Sequence, residues 1–353
     1  MNEAALRSEH RVERWTALTV ASTVGFLLLV IAGAFVPFIF VPDVGRRLTS
    51  LFVLIILAMM WNALAGYAGM VSVGQQAFIG LGAYATVLLA GQGINPFLSM
   101  LIAMIFAGLV AIPTSYVVFR LSGGQFAIAM WVVAEVFRLV VVQFKQLGGG
   151  TGVSLQALNA FEPVIRQAMV YWCALAALVL FLTVLILVVR GRYGSWLQAI
   201  RDDEIAATSL GVPVARVKRI IFVVAALGCG AAGALTVANT LRVQPNSIFG
   251  VQWTAYMIFM VLIGGIRTIE GPIVGAIVFF LVQEQFAVYG SWYLIALGLI
   301  AVVVTLAAPK GLWGTLAGRF RISLAPVGRL VVPLRIEPLR PGADLPAEVC
   351  ACG

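Results

Sequence analysis

The sequence predicts an all-α, polytopic membrane protein: a transmembrane helical bundle of about ten spans with Gly-interrupted helices and an internal repeat. Three observations carry this reading. Of 353 residues, 62% are apolar and only 10% charged, against roughly 25% charged in soluble domains. The mean hydropathy is +1.04, which leaves too little polar surface to cover a water-soluble globule of this size. The apolar residues also fall in long runs, punctuated by basic residues and glycine clusters. A soluble enzyme, a disordered chain and a nucleic-acid reader are thereby excluded. The net charge of +9 reflects membrane orientation and not a polyanionic partner, because the basic residues flank the apolar runs.

A spanning helix needs about 20 mostly apolar residues. The runs lie at 16–41, 48–65, 77–89, 97–119, 126–144, 165–189, 220–241, 251–266, 273–289 and 292–308. The first follows Arg7, Arg11 and Arg14. It is too long for a signal-peptide core and no small-x-small cleavage site follows it, so it reads as an uncleaved span. Residues 1–15 are then an N-terminal cytoplasmic segment, 16–317 the transmembrane domain, and 318–353 a Pro-rich, basic, mostly unstructured cytoplasmic tail. With the N-terminus inside, most of the 23 Lys and Arg residues fall in inner segments. Only Arg46, Arg47, Lys145, Arg166 and Arg242 lie outside, and Arg138 lies within a span. Both termini are expected in the cytoplasm.

Four segments carry candidate function. The first, GYAGMVSVGQQAFIGLGAY (66–84), interrupts the apolar pattern with glycines around Ser72, Gln75 and Gln76. Broken helices at membrane depth occur where backbone is buried in protein or faces a cavity, and often mark transport sites. Small-residue helix packing is the competing explanation. The second, IGGIRTIEGPIVGA (263–276), is another such break in the other half of the chain, which points to an internal repeat. Ser72, Gly74, Gln75, Gln76 and Phe78 with Gly264, Gly265, Gly271 and Pro272 are the expected pathway residues. The third segment, 190–219, is polar and forms one or two short helices. Asp202 or Asp203 is the N-cap, Glu204 lies in the first turn, and Gly211 with Pro213 is the stop. Ala206, Ala207 and Leu210 are expected on one face, suited either to docking a partner or to nothing beyond a positive-inside loop. The fourth is Glu135 and Arg138, three residues apart on one helix face. They form either a structural ion pair or a wall of the pathway, and a flexible loop, Gly148–Gly152, follows them.

Absences narrow the chemistry. His10 is the single histidine, and Cys350 and Cys352 have no further ligands nearby, so neither a metal nor a cofactor is expected. No GxxxxGK[ST] loop, nucleophile elbow or HExxH motif is present, so this chain is not expected to bind ATP through a phosphate loop.

Together these segments resemble the permease subunits of bacterial branched-chain amino acid ABC importers, of the LivM-like branch, over roughly residues 45–315. The resemblance rests on 66–84, on FAIAMWVVAEVFRLV (126–140) with Glu135 and Arg138 in register, and on Thr151–Gly152. It rests further on AIRDDEIAATSLGV (199–212), on GGIRTIEGPIVGA (264–276), and on the closing Pro309–Gly314. It implies a bacterial inner-membrane permease paired with a homologous permease, two ABC ATPases and a periplasmic substrate-binding protein. Segment 190–219 then resembles the helix that docks on the ATPase, a role carried by Arg201, Glu204, Ala206, Ala207 and Gly211. Arg267 stands where the family usually has Gly, Met130–Trp131 where Thr-Leu is usual, and Ser195 where Arg is common. The resemblance therefore leaves the substrate open among branched-chain and other amino acids, urea and short-chain amides. A stand-alone secondary transporter or channel is the alternative from another class, and it has no use for an ATPase-docking segment.

Overall fold

The computed structural model describes residues 8–13, 25, 28, 30–286, 295, 298–300, 302–303, 306, 311–320 and 330–336. Besides the four-residue helices Val36–Ile39 and Pro245–Ile248, the described α-helices are α1 (Pro42–Asn62), α2 (Gln76–Gly91), α3 (Pro96–Val118), α4 (Gly123–Gln143), α5 (Pro163–Arg190), α6 (Arg192–Asp202), α7 (Glu204–Ser209), α8 (Val214–Thr240), α9 (Gln252–Gly264), α10 (Glu270–Phe286) and α11 (Gly311–Phe320). Local chemistry sets several starts. Proline occupies the first helical position of α1, α3 and α5, where its fixed φ suits the helix and its missing N–H is not needed. Asn95 caps α3 by accepting from the Phe97 N–H at 3.0 Å.

Six helical stretches among the described residues are long and apolar enough to cross a membrane: Pro42–Tyr67, Pro96–Val118, Gly123–Gln143, Pro163–Arg190, Val214–Thr240 and Pro245–Gly264. The expected span at 77–89 corresponds to α2, which has 16 residues. That is roughly 24 Å of helix, short of the ~30 Å hydrocarbon core. The expected span at 273–289 corresponds to α10, whose described part ends at Phe286. Of the expected span at 16–41, residues 16–24, 26, 27 and 29 lie outside the described residues. Most of the span at 292–308 lies outside them as well.

The bundle is built around two helices. The apolar window of α1 is 78% buried and that of α8 is 72% buried, against 22% for α4. Around α8 pack α1, α2, α3 and α5, and α1 also touches α5, α9 and α10. The run Gly228–Cys229–Gly230–Ala231–Ala232–Gly233 lets neighbours approach α8 to backbone distance. A Cβ at Gly233 would collide with the Ile79 carbonyl of α2, and a Cβ at Gly82 would collide with the Gly230 carbonyl. Small residues thus set the α2–α8 crossing, as in many membrane helix pairs.

A second compact unit brings together the chain ends, Met1–Phe26 and Leu324–Gly353. In it β1 (Ser8–Glu13) pairs antiparallel with β4 (Leu330–Ile336), with Val12 opposite Val331. The tail was expected to be mostly unstructured; within it the LVVPLRI stretch forms a strand, because branched residues suit a pleated surface. A strand in a two-stranded sheet has a free edge and tolerates Pro333. Helix α11 also runs on to Phe320, past the boundary expected at 317. Within the main unit, β2 (Val153–Ser154) pairs with β3 (Arg242–Val243).

The α2–α8 contact makes a prediction. Gly233→Ala should destabilise the detergent-solubilised protein by about 1–3 kcal/mol through overpacking. Gly91→Ala, where a Cβ meets nothing within 4 Å, should be neutral or slightly stabilising. Thermal unfolding of the two variants side by side measures the difference.

Candidate functional site

Residues 190–213 mark one end of the bundle, called the lower end below. The first Gly-rich break lies there. Helix α1 passes into a π-helical turn, Ala63–Tyr67, and the chain then leaves helical geometry from residue 69 to 74 before α2 begins. Gly69 takes a φ of +70° and lies against the Arg201 stem, where a Cβ would come within 3.2 Å of Cγ. The Arg201 guanidinium donates to the Gly66 carbonyl at 3.4 Å and to Asp202 at 2.7 Å.

The second break has the same form. Helix α9 stops at Gly264, Gly265 adopts a φ of +126°, Arg267 a φ of +73°, and α10 begins at Glu270. Gly264 and Gly271 lie so close that a Cβ on the first would overlap the carbonyl of the second. Gly265, Gly271 and Pro272 are all buried. The Thr268 hydroxyl accepts from the Gly271 N–H at 3.0 Å and donates to the Gly265 carbonyl at 2.9 Å.

The two breaks touch through Asn62. Its side-chain amide donates to the Thr268 carbonyl at 2.8 Å and accepts from the Arg267 N–H at 3.1 Å. Asn62 was not singled out by sequence reasoning. The available signal was a lone amide inside the apolar run IILAMMWNALAG.

The expected pathway residues Ser72, Gln75 and Gln76 are fully buried and bonded within the chain. The Trp61 indole donates to the Ser72 carbonyl at 3.0 Å. Gln75 donates to the Ser72 hydroxyl at 3.2 Å and accepts from the Cys229 thiol at 3.5 Å. Gln76 donates to the Val73 carbonyl at 3.0 Å and accepts from the Thr254 hydroxyl of α9 at 2.5 Å. Gly74 packs on the backbone of Met130 in α4, and Phe78 stacks edge-on against Phe222 with centroids 5.5 Å apart. These groups form a polar seam tying the first break to α8, α9 and α4. Beside the seam, a cavity of about 520 Å³ opens between the break and segment 190–213. It is lined by Gly69, Met70, Val71, Phe119, Phe126, Arg201, Asp203 and Lys218 among others.

Segment 190–213 folds as two helices. Gly194, Leu197 and Ile200 of α6 are buried. Asp203 caps α7, its carboxylate accepting from the Ile205 N–H at 2.8 Å and the Ala206 N–H at 3.0 Å. Glu204 binds Lys218 of α8 at 2.5 Å. Gly211 ends the segment with a φ of +78°. One expectation needs correcting: Ala206, Ala207 and Leu210 do not share a face. Ala207 is buried, Ala206 is exposed, and the exposed apolar surface is made by Ile205 and Leu210, each 81% exposed. Successive helical residues turn by about 100°, which rotates Ala207 inward when 206 and 210 face out.

Glu135 and Arg138 stand apart from the breaks, on α4. Arg138 Nε donates to Glu135 at 2.9 Å, its Nη2 to the same carboxylate at 2.5 Å, and its Nη1 to Asn246 at 2.7 Å. Asn246 lies in the helical turn Pro245–Ile248. It had no sequence signal, since only the fold brings it to α4. In the loop after α4, Gly148, Gly149 and Gly152 all adopt positive φ. At the upper end, Asp43 binds Arg46 and Arg47, and Arg47 also binds Glu284. A cavity of about 280 Å³ opens nearby, lined by Ser50, Asn239, Thr240, Gln244, Trp253 and Tyr256 among others.

Arg267 yields a prediction, because a non-glycine residue at positive φ is strained. Arg267→Gly should keep or raise thermal stability. Arg267→Val should lower it by about 2 kcal/mol, because a branched side chain fits this conformation worst. Melting curves of the purified variants decide between these outcomes.

A family model described as branched-chain amino acid transport system / permease component matches residues 44–308. The chain is 28% identical over 312 residues to the high-affinity branched-chain amino acid transport system permease protein LivM of Escherichia coli strain K12. It is 27% identical over 312 residues to the protein of the same name from Salmonella typhimurium strain LT2. Each alignment covers 81% of this chain and 73% of the relative. Among solved structures, a metal-chelate type ABC transporter in an inward-facing conformation superposes with a TM-score of 0.43 at 19% identity, over 85% of this chain and 99% of that one. Because the family match spans most of a chain that carries several membrane-length apolar helices, the protein belongs to the family of branched-chain amino acid transport permease components.

Proposed function

We propose that this chain is one permease of a bacterial inner-membrane ABC importer for branched-chain or related amino acids. It would assemble with a homologous permease, two ATPases and a periplasmic binding protein, with about ten spans and both termini in the cytoplasm. The lower end is then the cytoplasmic face. The two helix–break–helix arrangements, α1 to α2 and α9 to α10, support the internal repeat. Both breaks meet at Asn62.

One observation carries the coupling step. Segment 190–213 exposes Ile205 and Leu210 on a helix held by the Asp203 cap and the Glu204–Lys218 pair, while its Arg201 lies on the first break. Exposed apolar side chains on a short rigid helix suit a partner's groove. Arg201, Glu204, Ala206, Ala207 and Gly211 shape that element, and Ile205 and Leu210 form its contact. A push on α7 passes through α6 to Gly66 and Gly69, and through Asn62 to the second break. Spans around Gly264, Gly265, Gly271 and Pro272 and around the seam Ser72–Phe78 then tilt, giving alternating access.

The experiment is ATP-driven leucine uptake by the reconstituted complex. Ile205→Asp with Leu210→Asp should reduce uptake at least tenfold and weaken ATPase co-purification, while leaving the chain folded. Glu204→Lys alone should also impair uptake, and adding Lys218→Glu should restore much of it by remaking the strut with reversed sign. Wild-type uptake by the double aspartate variant would show that the ATPase docks elsewhere.

A further inference from the structure

The exposed face of α4 is chemically odd for a membrane helix. Trp131, Val132, Val136, Leu139 and Val140 are each about half exposed, and an ion pair sits in their midst. The Glu135 side chain is 48% exposed and that of Arg138 is 24% exposed. Counting from Gly123, Glu135 lies roughly 18 Å along a helix of some 31 Å, well within hydrocarbon depth. Ionisable groups at such depth face protein or a water-filled path, not lipid. This pair also lies outside the cavities described above, and among the described residues nothing covers the exposed half of Glu135.

Its hydrogen-bond capacity is only partly used. A guanidinium has five N–H donors. Arg138 directs Nε and one Nη2 hydrogen to Glu135 and one Nη1 hydrogen to Asn246, which leaves two donors for an incoming acceptor. The Glu135 carboxylate keeps lone pairs beyond those that Arg138 occupies. Unspent cationic donors and unspent anionic acceptors therefore lie side by side, with apolar surface from Trp131 and Leu139 beside them.

We propose that Glu135 and Arg138 form a relay site for the zwitterionic head of an α-amino acid, on the permease wall facing the second permease. The proposal rests on the transport reading above and names the ligand chemistry of this face. The substrate carboxylate takes the free Arg138 donors, the ammonium group takes Glu135, and the apolar side chain lies along Trp131 and Leu139. The site and its ligand each have zero net charge, so the transfer moves no net charge into the low-dielectric interior. Charge-assisted hydrogen bonds replace part of the water stripped from the substrate. Urea and simple amides carry neither ionic group and form only weaker bonds with the pair, charged on one side alone, so the site favours amino acids over them.

The test uses the full complex in liposomes, with leucine as the probe. Glu135→Gln and Arg138→Gln should each lower leucine uptake per ATP hydrolysed at least tenfold, with binding-protein-stimulated ATPase activity within about twofold of wild type. The swap Glu135→Arg with Arg138→Glu keeps an ion pair but inverts the site, and should remain as impaired as the single variants. Wild-type uptake by the swap would make the pair a structural strut and overturn the relay, as would normal uptake by both single variants. A second measurement leaves the pair intact. Leu139→Cys, in a background with the four native cysteines replaced by alanine, should react with a charged thiol reagent in nanodiscs. Saturating leucine during turnover should slow that reaction severalfold. No reaction, or a reaction indifferent to leucine, overturns the relay. A wild-type complex that hydrolyses ATP but takes up no α-amino acid would instead remove the transport reading, and the relay with it.

Discussion

Backbone that leaves helical geometry where the protein buries it has no water to satisfy its N–H and C=O groups, so each must find a partner within the protein. In this chain the side-chain amide of Asn62 answers that demand at the second break, donating to Thr268 and accepting from Arg267. Thr268 satisfies Gly265 and Gly271 in turn. The first break relies on Trp61, Ser72, Gln75 and Gln76, which bond to one another, to nearby backbone and to groups on α8 and α9. Polar residues that in isolation look like a substrate path are here the means by which irregular backbone is made tolerable. Their burial follows from that task.

The same constraint ties the bundle together mechanically. Both breaks lie at the end that carries segment 190–213, and Arg201 packs directly on Gly69. A break is the compliant part of an otherwise stiff helix, since its residues lack the i→i−4 ladder that resists bending. Bonding the two compliant points to each other means that neither bends alone. In a transporter of the proposed kind, a small displacement of α6 and α7 would reach two helix pairs at once. The helix α7 is itself firmly held by the Asp203 cap and the Glu204–Lys218 pair, so a force on its exposed apolar tip moves the element and does not melt it.

Burial separates a structural side of the molecule from an unfinished one. Helices α1 and α8 are enclosed by neighbours, whereas most of α4 is not. An apolar helix surface facing lipid is unremarkable, but a partly unsaturated ion pair on that surface is not. In the reading proposed above, it is the face on which a partner chain would lie.

The sequence by itself determined the solvent, the helical class and the places where helices are interrupted. These depend on hydropathy, run length and glycine, all local properties. A cap at Asp202 or Asp203, which the structure resolves to Asp203, and the Gly211 stop were legible for the same reason, as were Glu135 and Arg138, since an i, i+3 spacing on a helix is enough to pair them. Tertiary structure alone decided what the polar residues of the breaks do, because Gln76 meets Thr254 and Asn62 meets Thr268 across large sequence separations that no local pattern encodes. It also decided which residue of α7 turns inward, separating Ala207 from Ala206 and Leu210. A helix only six residues long has no periodicity to read, and its rotation is set by packing against α8.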